Sequence, residues 1–245
     1  MKAVILAAGY ATRLYPLTRD RPKALLPVGG RPLLEHLLER LGETEELDEI
    51  VLVTNSRFAG AFGDWAAGWE GDDVRIVDDG TTDDASRLGA IGDLDLVIRE
   101  GEIGDDLLVL AGDNLFSESL APFAEFGRGK GAPALGVFDV GDLEAIRRYN
   151  SIELDADDRV IFFEEKPERP ASTLAGIALY FYPGWSLGFV REYLDADNNP
   201  DQPGRLIEWL YPRTPVYAWR VPGRWYDIGT KETLAEADQA FSSLR

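Results

Sequence analysis

Cysteine is absent from this 245-residue sequence. Its absence excludes a disulfide framework, a thiolate zinc site and a cysteine nucleophile, and a cytoplasmic setting is expected. Histidine is nearly absent: the single residue, His36, falls in the apolar-spaced segment 32–41, where a structural or surface role is expected rather than catalysis. Long apolar runs are missing, so no membrane span is expected. The six apolar residues after Lys2 are too few for a signal-peptide core and are better used as a first strand. No linker-like, low-complexity or repeated stretch interrupts the chain, which predicts one domain over residues 1–245. Basic residues are scarce, 25 against 44 acidic, for a formal charge of −19. That excludes nucleic-acid binding through a basic surface and reads as solubility or salt adaptation. Only five of the 25 are lysine, and two of these, Lys23 and Lys166, fall in the motifs described below.

The familiar phosphate motifs are missing as well. There is no G-x-x-x-x-G-K-[ST], and the segment from Gly9 lacks the G-x-G-x-x-G spacing. What is there is an apolar run ending at Gly9, a short loop with Thr12 and Arg13, and then Lys23 framed by Pro22 and Pro27. A buried strand that empties into such a loop can hold phosphates. Backbone N–H groups face the anion, glycine permits close approach, and cations neutralise charge. Two fixed cations point to a polyphosphate more than to a single carboxylate. A phosphate site in so acidic a chain must rely on local cations and divalent metal.

Gly9-Tyr10-Ala11-Thr12-Arg13-Leu14 followed by Pro22-Lys23-Ala24-Leu25-Leu26-Pro27 resembles the two-part signature of the sugar-phosphate nucleotidyltransferases, in particular the glucose-1-phosphate thymidylyltransferase-like members. The resemblance runs from residue 1 to about residue 240. It implies an α/β, Rossmann-like, mostly parallel mixed sheet with helices on both faces and small antiparallel additions on the sugar side. The fold would be nucleotide-diphospho-sugar transferase-like. Residues 1–130 would serve mainly the nucleotide, 131–230 the sugar phosphate, and 231–245 a closing helix. The further C-terminal helices of many relatives are missing, so a monomer or homodimer is expected.

The pattern of elements agrees with this. Strands are predicted at 3–8, 49–54, 74–77 and 107–110, alternating with helices at 32–41, 59–69 and 87–99. Such alternation indicates a parallel sheet whose ligands lie beyond the strands' carboxyl ends. After residue 132 the segments 134–140, 151–154, 159–164 and 177–182 read as antiparallel additions. Helices at 187–194 and 206–210, a strand at 214–221 and a final helix at 231–241 capped by Thr230 complete the order.

The resemblance assigns roles residue by residue. Ala7, Ala8, Gly9, Tyr10, Ala11, Thr12 and Gly112 would line the nucleotide. Arg13 would face the pyrophosphate end and Lys23 the α-phosphate. Asp113, after the apolar strand 107–110, and Asp227, in Trp225-Tyr226-Asp227, would hold Mg²⁺, which needs only one or two protein carboxylates. In Glu164-Glu165-Lys166-Pro167, Glu165 would accept hydrogen bonds from sugar hydroxyls and Lys166 would hold the sugar 1-phosphate. Two departures leave base and sugar open. No glutamine follows the third strand, so Asp79 or Thr81 is left to face the base, Arg87 the ribose or phosphate, and Leu88-Gly89 the underside of the base. Asn150 replaces the glycine of a Tyr-Gly pair, offering its amide to the sugar, with Thr173 and Gly176 further along the cleft. The expected partners are a nucleoside triphosphate and a sugar 1-phosphate. A cytidylyl-, uridylyl- or guanylyltransferase, a nucleotide-sugar-dependent glycosyltransferase and a catalytically silent homologue remain alternatives.

Overall fold

The computed structural model describes residues 1–242. Strand β1 (Lys2–Leu6) leads into a long loop with two 3-10 turns, Thr12–Leu14 and Lys23–Leu25. A tight hairpin, β2 (Pro27–Val28) and β3 (Arg31–Pro32), precedes α1 (Leu33–Gly42). The chain continues through β4 (Glu49–Thr54), α2 (Ala59–Ala67), β5 (Val74–Asp78), α3 (Ala90–Glu100), β6 (Leu107–Ala111), β7 (Asn114–Phe116) and α4 (Ala121–Lys130). Next come β8 (Ala134–Asp139), α5 (Leu143–Ile146), β9 (Asn150–Leu154), β10 (Val160–Glu165) and β11 (Leu174–Tyr182). Last are α6 (Gly188–Asp195), α7 (Pro203–Leu210), β12 (Tyr217–Arg220), β13 (Trp225–Asp227) and α8 (Lys231–Ser242).

Seven strands form one sheet in the order β12-β8-β11-β6-β1-β4-β5. Only β11 runs against the others, pairing antiparallel with both β6 and β8. The apolar run Ala3-Val4-Ile5 is fully buried because β1 lies between β4 and β6 and is covered on both faces. Its side chains alternate between two cores. Val4 packs with Val51, Val53, Ile91, Leu94 and Val97 on the α3 side. Ala3 and Ile5 pack with Leu34, Leu37, Leu41, Phe62 and Phe123 on the side of α1, α2 and α4.

Three expectations need correction. Segments 134–140 and 177–182 are not additions beside the sheet but β8 and β11 within it, β8 running in the common direction. Among the described residues the separate small antiparallel sheets are the hairpins β9–β10 and β2–β3 and the pair β7–β13. The helix expected from residue 87 starts at Ala90, because Gly89 takes φ 81° and turns the chain. Helix α4 was not expected from the sequence pattern, since Gly127 and Gly129 weaken its helical signal.

The closing helix is capped as expected: Thr230 Oγ1 accepts from the Thr233 amide at 3.2 Å. Asp238 on α8 takes a hydrogen bond from the Gly29 amide at 2.8 Å, which fixes the helix to the β2–β3 turn. His36 is structural, as expected. It is buried, its Nε2 bonds to the Val28 carbonyl at 2.8 Å, and the Phe241 ring lies edge-on at 4.9 Å. No helix among the described residues is long and apolar enough to cross a membrane.

Candidate active site

The carboxyl ends of β1 and β6 open onto a cleft of about 510 Å³. Its first wall is the loop after β1. The Ala7 amide donates to the Val53 carbonyl at 2.9 Å, the Asn55 side chain donates to the Ala8 carbonyl at 2.7 Å, and the Gly112 amide donates to the Leu6 carbonyl at 2.9 Å. The strand end is thus held from both neighbouring strands. Beyond it, Ala11 adopts a left-handed φ of 48°, and its carbonyl accepts from the Thr18 hydroxyl at 2.7 Å. A Cβ placed on Gly9 would meet no protein atom within 4 Å, so this glycine faces open cleft. The expected nucleotide residues Ala7, Ala8, Gly9, Tyr10, Ala11, Thr12 and Gly112 all line this cleft, and Arg13 does too.

The second wall carries the carboxylates. Lys23 leaves its 3-10 turn to bond both the Asp113 carboxylate and the Ile228 carbonyl, the latter at 3.0 Å. Pairing of β7 with β13 sets Asp227 opposite Asn114, and the Ile228 amide donates to the Asp113 carbonyl at 3.0 Å. Two segments more than a hundred residues apart therefore bring Asp113 and Asp227 together. Burial acts against the Asp113 carboxylate, but the Lys23 ammonium and the Asn114 amide outweigh it and hold its pKa below the usual range. Asp227 moves the other way, pushed up to about 6 by burial and then by the Asp113 charge. Two adjacent carboxylates with one lysine between them make an oxygen-donor site short of positive charge, which suits Mg²⁺. No set of three or more His, Asp or Glu side chains arranged to hold a metal occurs among the described residues.

The third wall is the β9–β10 hairpin with α7. Glu165, Lys166, Asn150 and Gly176 all line it. Lys166 has a left-handed φ of 52°, and its amide donates to the Tyr149 carbonyl at 2.8 Å. Its side chain, like those of Arg13 and Arg148, has no ion-pair partner among the described residues. Burial raises the Glu165 carboxyl to about 7, and its Oε2 atom is buried without a hydrogen bond. The Asn150 amide is also tied to the fold. It bonds both backbone groups of Gly176, donating to the carbonyl at 2.8 Å and accepting from the amide at 2.6 Å, and it hydrogen-bonds the Glu165 carboxyl. It substitutes for a missing stretch of ladder where β11 changes register, between Gly176 and Tyr180.

Four of the expected residues lie outside the cleft. Thr173 immediately precedes β11, and its side chain bonds Asp139. Leu88 lies in a shallow groove with Asn199, Pro200 and Asp201. Asp79 and Thr81 stand one layer back. Thr81 is buried, its hydroxyl 3.2 Å from the Tyr10 hydroxyl, and its amide donates to Asp79 Oδ1 at 2.7 Å. Arg87 does line the cleft, at its rim, where it pairs with Asp84 at 2.8 Å and Asp201 at 3.2 Å.

The cleft also holds residues that the sequence analysis does not single out: Asp93, Arg148, Gln202, Gly204 and Trp225. Trp225 has a visible role, donating from its indole N–H to Asn114 at 2.6 Å while the Tyr149 ring packs edge-on against it at 5.6 Å. An acid on the buried stripe of α3, four residues before Val97, is the sequence signal that could have found Asp93.

Known proteins resemble this chain along nearly its whole length. A bifunctional GlmU protein from Methanocaldococcus jannaschii is 24% identical over 98% of this chain and 54% of its own length. A glucose-1-phosphate thymidylyltransferase from Neisseria meningitidis is 30% identical over 97% of this chain and 81% of its own. The chain spans little more than half the length of several curated relatives it matches. Among solved structures, a UDP-glucose pyrophosphorylase complexed with UDP-glucose shares the fold, with a TM-score of 0.83 at 20% identity, covering 100% of this chain and 99% of that one. Residues 2–243 match the nucleotidyl transferase family, and the chain belongs to that family.

Proposed function

We propose that the protein joins a nucleoside triphosphate to a sugar 1-phosphate, releasing pyrophosphate, and that it is glucose-1-phosphate thymidylyltransferase-like. The observation that carries this reading is the charge pattern of the cleft. In a chain of net charge −19, the three side chains Arg13, Arg148 and Lys166 line one cavity without ion-pair partners, and Lys23 stands among the carboxylates beside them. Such a concentration of cations suits two polyanions brought together. The Neisseria relative, 30% identical, supports the thymidylyl and glucose assignments.

In the reaction, an oxygen of the sugar 1-phosphate forms a bond to the α-phosphorus while the bond from that phosphorus to the β-bridging oxygen breaks. The electron pair leaves with pyrophosphate. The nucleophile is already anionic, so no general base is needed. The residues act by alignment and charge compensation. The Gly9–Arg13 loop receives the triphosphate, with Arg13 at the pyrophosphate end. Lys23 lies on the α-phosphate and Lys166 orients the attacking phosphate, with Arg148 as a further cation at that end. Asp113 and Asp227 would hold Mg²⁺, which when bound offsets charge on the transferred and leaving phosphates.

The test is pyrophosphate release with Mg²⁺ for each of ATP, GTP, CTP, UTP and dTTP against common sugar 1-phosphates. Release that requires both substrates is expected, greatest with dTTP and glucose 1-phosphate. No release from folded protein in adequate salt would defeat the reading. Release of a nucleoside diphosphate from a nucleotide-sugar and an acceptor, with no pyrophosphate formed, would place the protein with the glycosyltransferases.

A second expected outcome concerns Gly204. A Cβ there would lie 2.1 Å from Glu165 Oε2, so the glycine leaves room for the carboxyl. Gly204→Ala forces this flexible side chain to swing away while the backbone keeps its place. KM for the sugar 1-phosphate should rise by about tenfold, the loss of one hydrogen bond to a charged group. KM for the nucleotide should stay unchanged. Initial-rate kinetics in both substrates check this, and equal changes in the two KM values would sink it.

A further inference from the structure

Asp93 is 5% exposed, lies in the first turns of α3 and lines the cleft on the side of Tyr10 and Gly89. Its Oδ1 atom is buried with no hydrogen-bond donor, and so is Oδ2 of Asp79. The two carboxyls are within hydrogen-bonding reach of each other. Asp79 uses its other oxygen, Oδ1, to accept from the Thr81 amide at 2.7 Å. A proton on Asp93 directed at Asp79 satisfies both buried oxygens. Burial, and then the Asp79 carboxyl, raise Asp93 to about 8, so that proton stays at neutral pH. Asp93, which lines the cleft, keeps its second oxygen, Oδ2, as an acceptor. A nearly buried acceptor on a cleft wall has a definite preference. It favours an N–H donor and is repelled by a ring-nitrogen lone pair.

We propose that Asp93 is a base-specificity residue of the cleft, accepting a hydrogen bond from the protonated ring nitrogen of a keto base, with Asp79 behind it as a positioning residue. Thymine, uracil and guanine carry such a ring N–H, whereas cytosine and adenine present a lone pair at that position and are disfavoured. The inference rests on the nucleotidyltransferase reading, and it deepens it: Asp93 takes over the base contact for which the sequence offers Asp79 or Thr81. Those two residues instead brace the wall through the chain Tyr10–Thr81–Asp79–Asp93.

Calorimetric binding of Mg²⁺ complexes of dTTP, UTP, GTP, CTP, ATP and N3-methyl-dTTP tests this without turnover. Wild-type protein should bind at least one keto-base nucleotide about tenfold or more tighter than CTP or ATP, the cost of leaving a buried acceptor without its donor. If dTTP is the best ligand, N3-methyl-dTTP should lose the same factor. Asp93→Ala should abolish the preference by weakening the keto-base nucleotides alone. Asp93→Asn should keep it, because its amide N–H can replace the proton directed at Asp79 while its carbonyl faces the base. Thermal melts confirm that both variants are folded. Best binding of CTP or ATP, an equal loss for all nucleotides in the Ala variant, or an Asn variant as impaired as the Ala variant would each overturn the proposal. Binding with the expected preference but no pyrophosphate release in any substrate pair would defeat nucleotidyl transfer and leave Asp93 as a base reader. Wild-type protein that binds none of the nucleotides would overturn both.

Discussion

Lys23→Ala is expected to lower kcat by about 10²–10³-fold, the usual cost of removing one preorganised group that stabilises charge in the transition state. The reason is geometric. Lys23 Nζ bonds the Asp113 carboxylate and the Ile228 carbonyl, so its charge is fixed where the β1 loop meets the two carboxylates proposed to hold Mg²⁺. A fixed charge needs little reorganisation during reaction, which is why its loss should appear in kcat more than in KM. The same substitution leaves Asp113 without its cation and facing Asp227, a change costing about 1–3 kcal/mol for a partly buried pair. That is less than the total stability of a typical domain, so the variant should remain folded at 25 °C with a lower melting temperature. Initial rates at saturating substrate, with circular dichroism and a thermal melt on the same sample, separate the two effects. A folded variant with near-normal turnover would remove Lys23 from the chemistry.

Asp227→Asn is expected to move activity and stability in opposite directions. Activity should fall by about 10²-fold or more, because a metal-binding carboxylate supplies several kcal/mol of charge stabilisation. Stability of the protein in EDTA should rise, because the wild-type carboxyl is held at a cost. Its pKa is about 6 in the fold against an ordinary value of 3.8. The folded protein therefore binds this proton more tightly than the unfolded chain does. Stability falls as pH rises through the window from about 4 to about 6, and the penalty is complete above it. At neutral pH it amounts to about 1–3 kcal/mol. The Asn variant lacks that slope. Melting temperatures in EDTA at pH 4.5 and 7.5 should show the variant gaining on wild type at the higher pH. An aspartate that served only the fold would lose both activity and stability when replaced, and that result would remove Asp227 from the metal site.

Much of the site is legible in the sequence because its charged residues follow recognisable strands. The apolar run Ala3–Leu6 marks a strand buried on both faces, so the polar loop that leaves it must lie at the sheet's carboxyl edge. Leu107–Leu110 places Asp113 at the same edge by the same argument. Strand direction is less legible. A fully buried strand shows the same apolar run whichever way it points, so β8 and β11 could not be placed within the sheet from pattern alone. Arg87 and Asn150 show a different limit. Their chemistry suits a ligand, yet Asp84 and Asp201 occupy the first and the Gly176 backbone occupies the second.

The sequence by itself determined the alternating α/β order and the proposed roles of the Gly9–Lys23 segment, Lys166, Asp113 and Asp227. These depend on residue type and local periodicity, which are written in short windows of chain. Only the tertiary structure decided which of those groups are free to act. It brought Asp227 against Asp113 through the β7–β13 pairing, left Arg148 and Lys166 unpaired, and set Asp93 against Asp79. Such contacts join residues from about 14 to more than 100 positions apart, and the electrostatic consequence of each depends on burial and on distance through space. Neither quantity exists until the chain has folded.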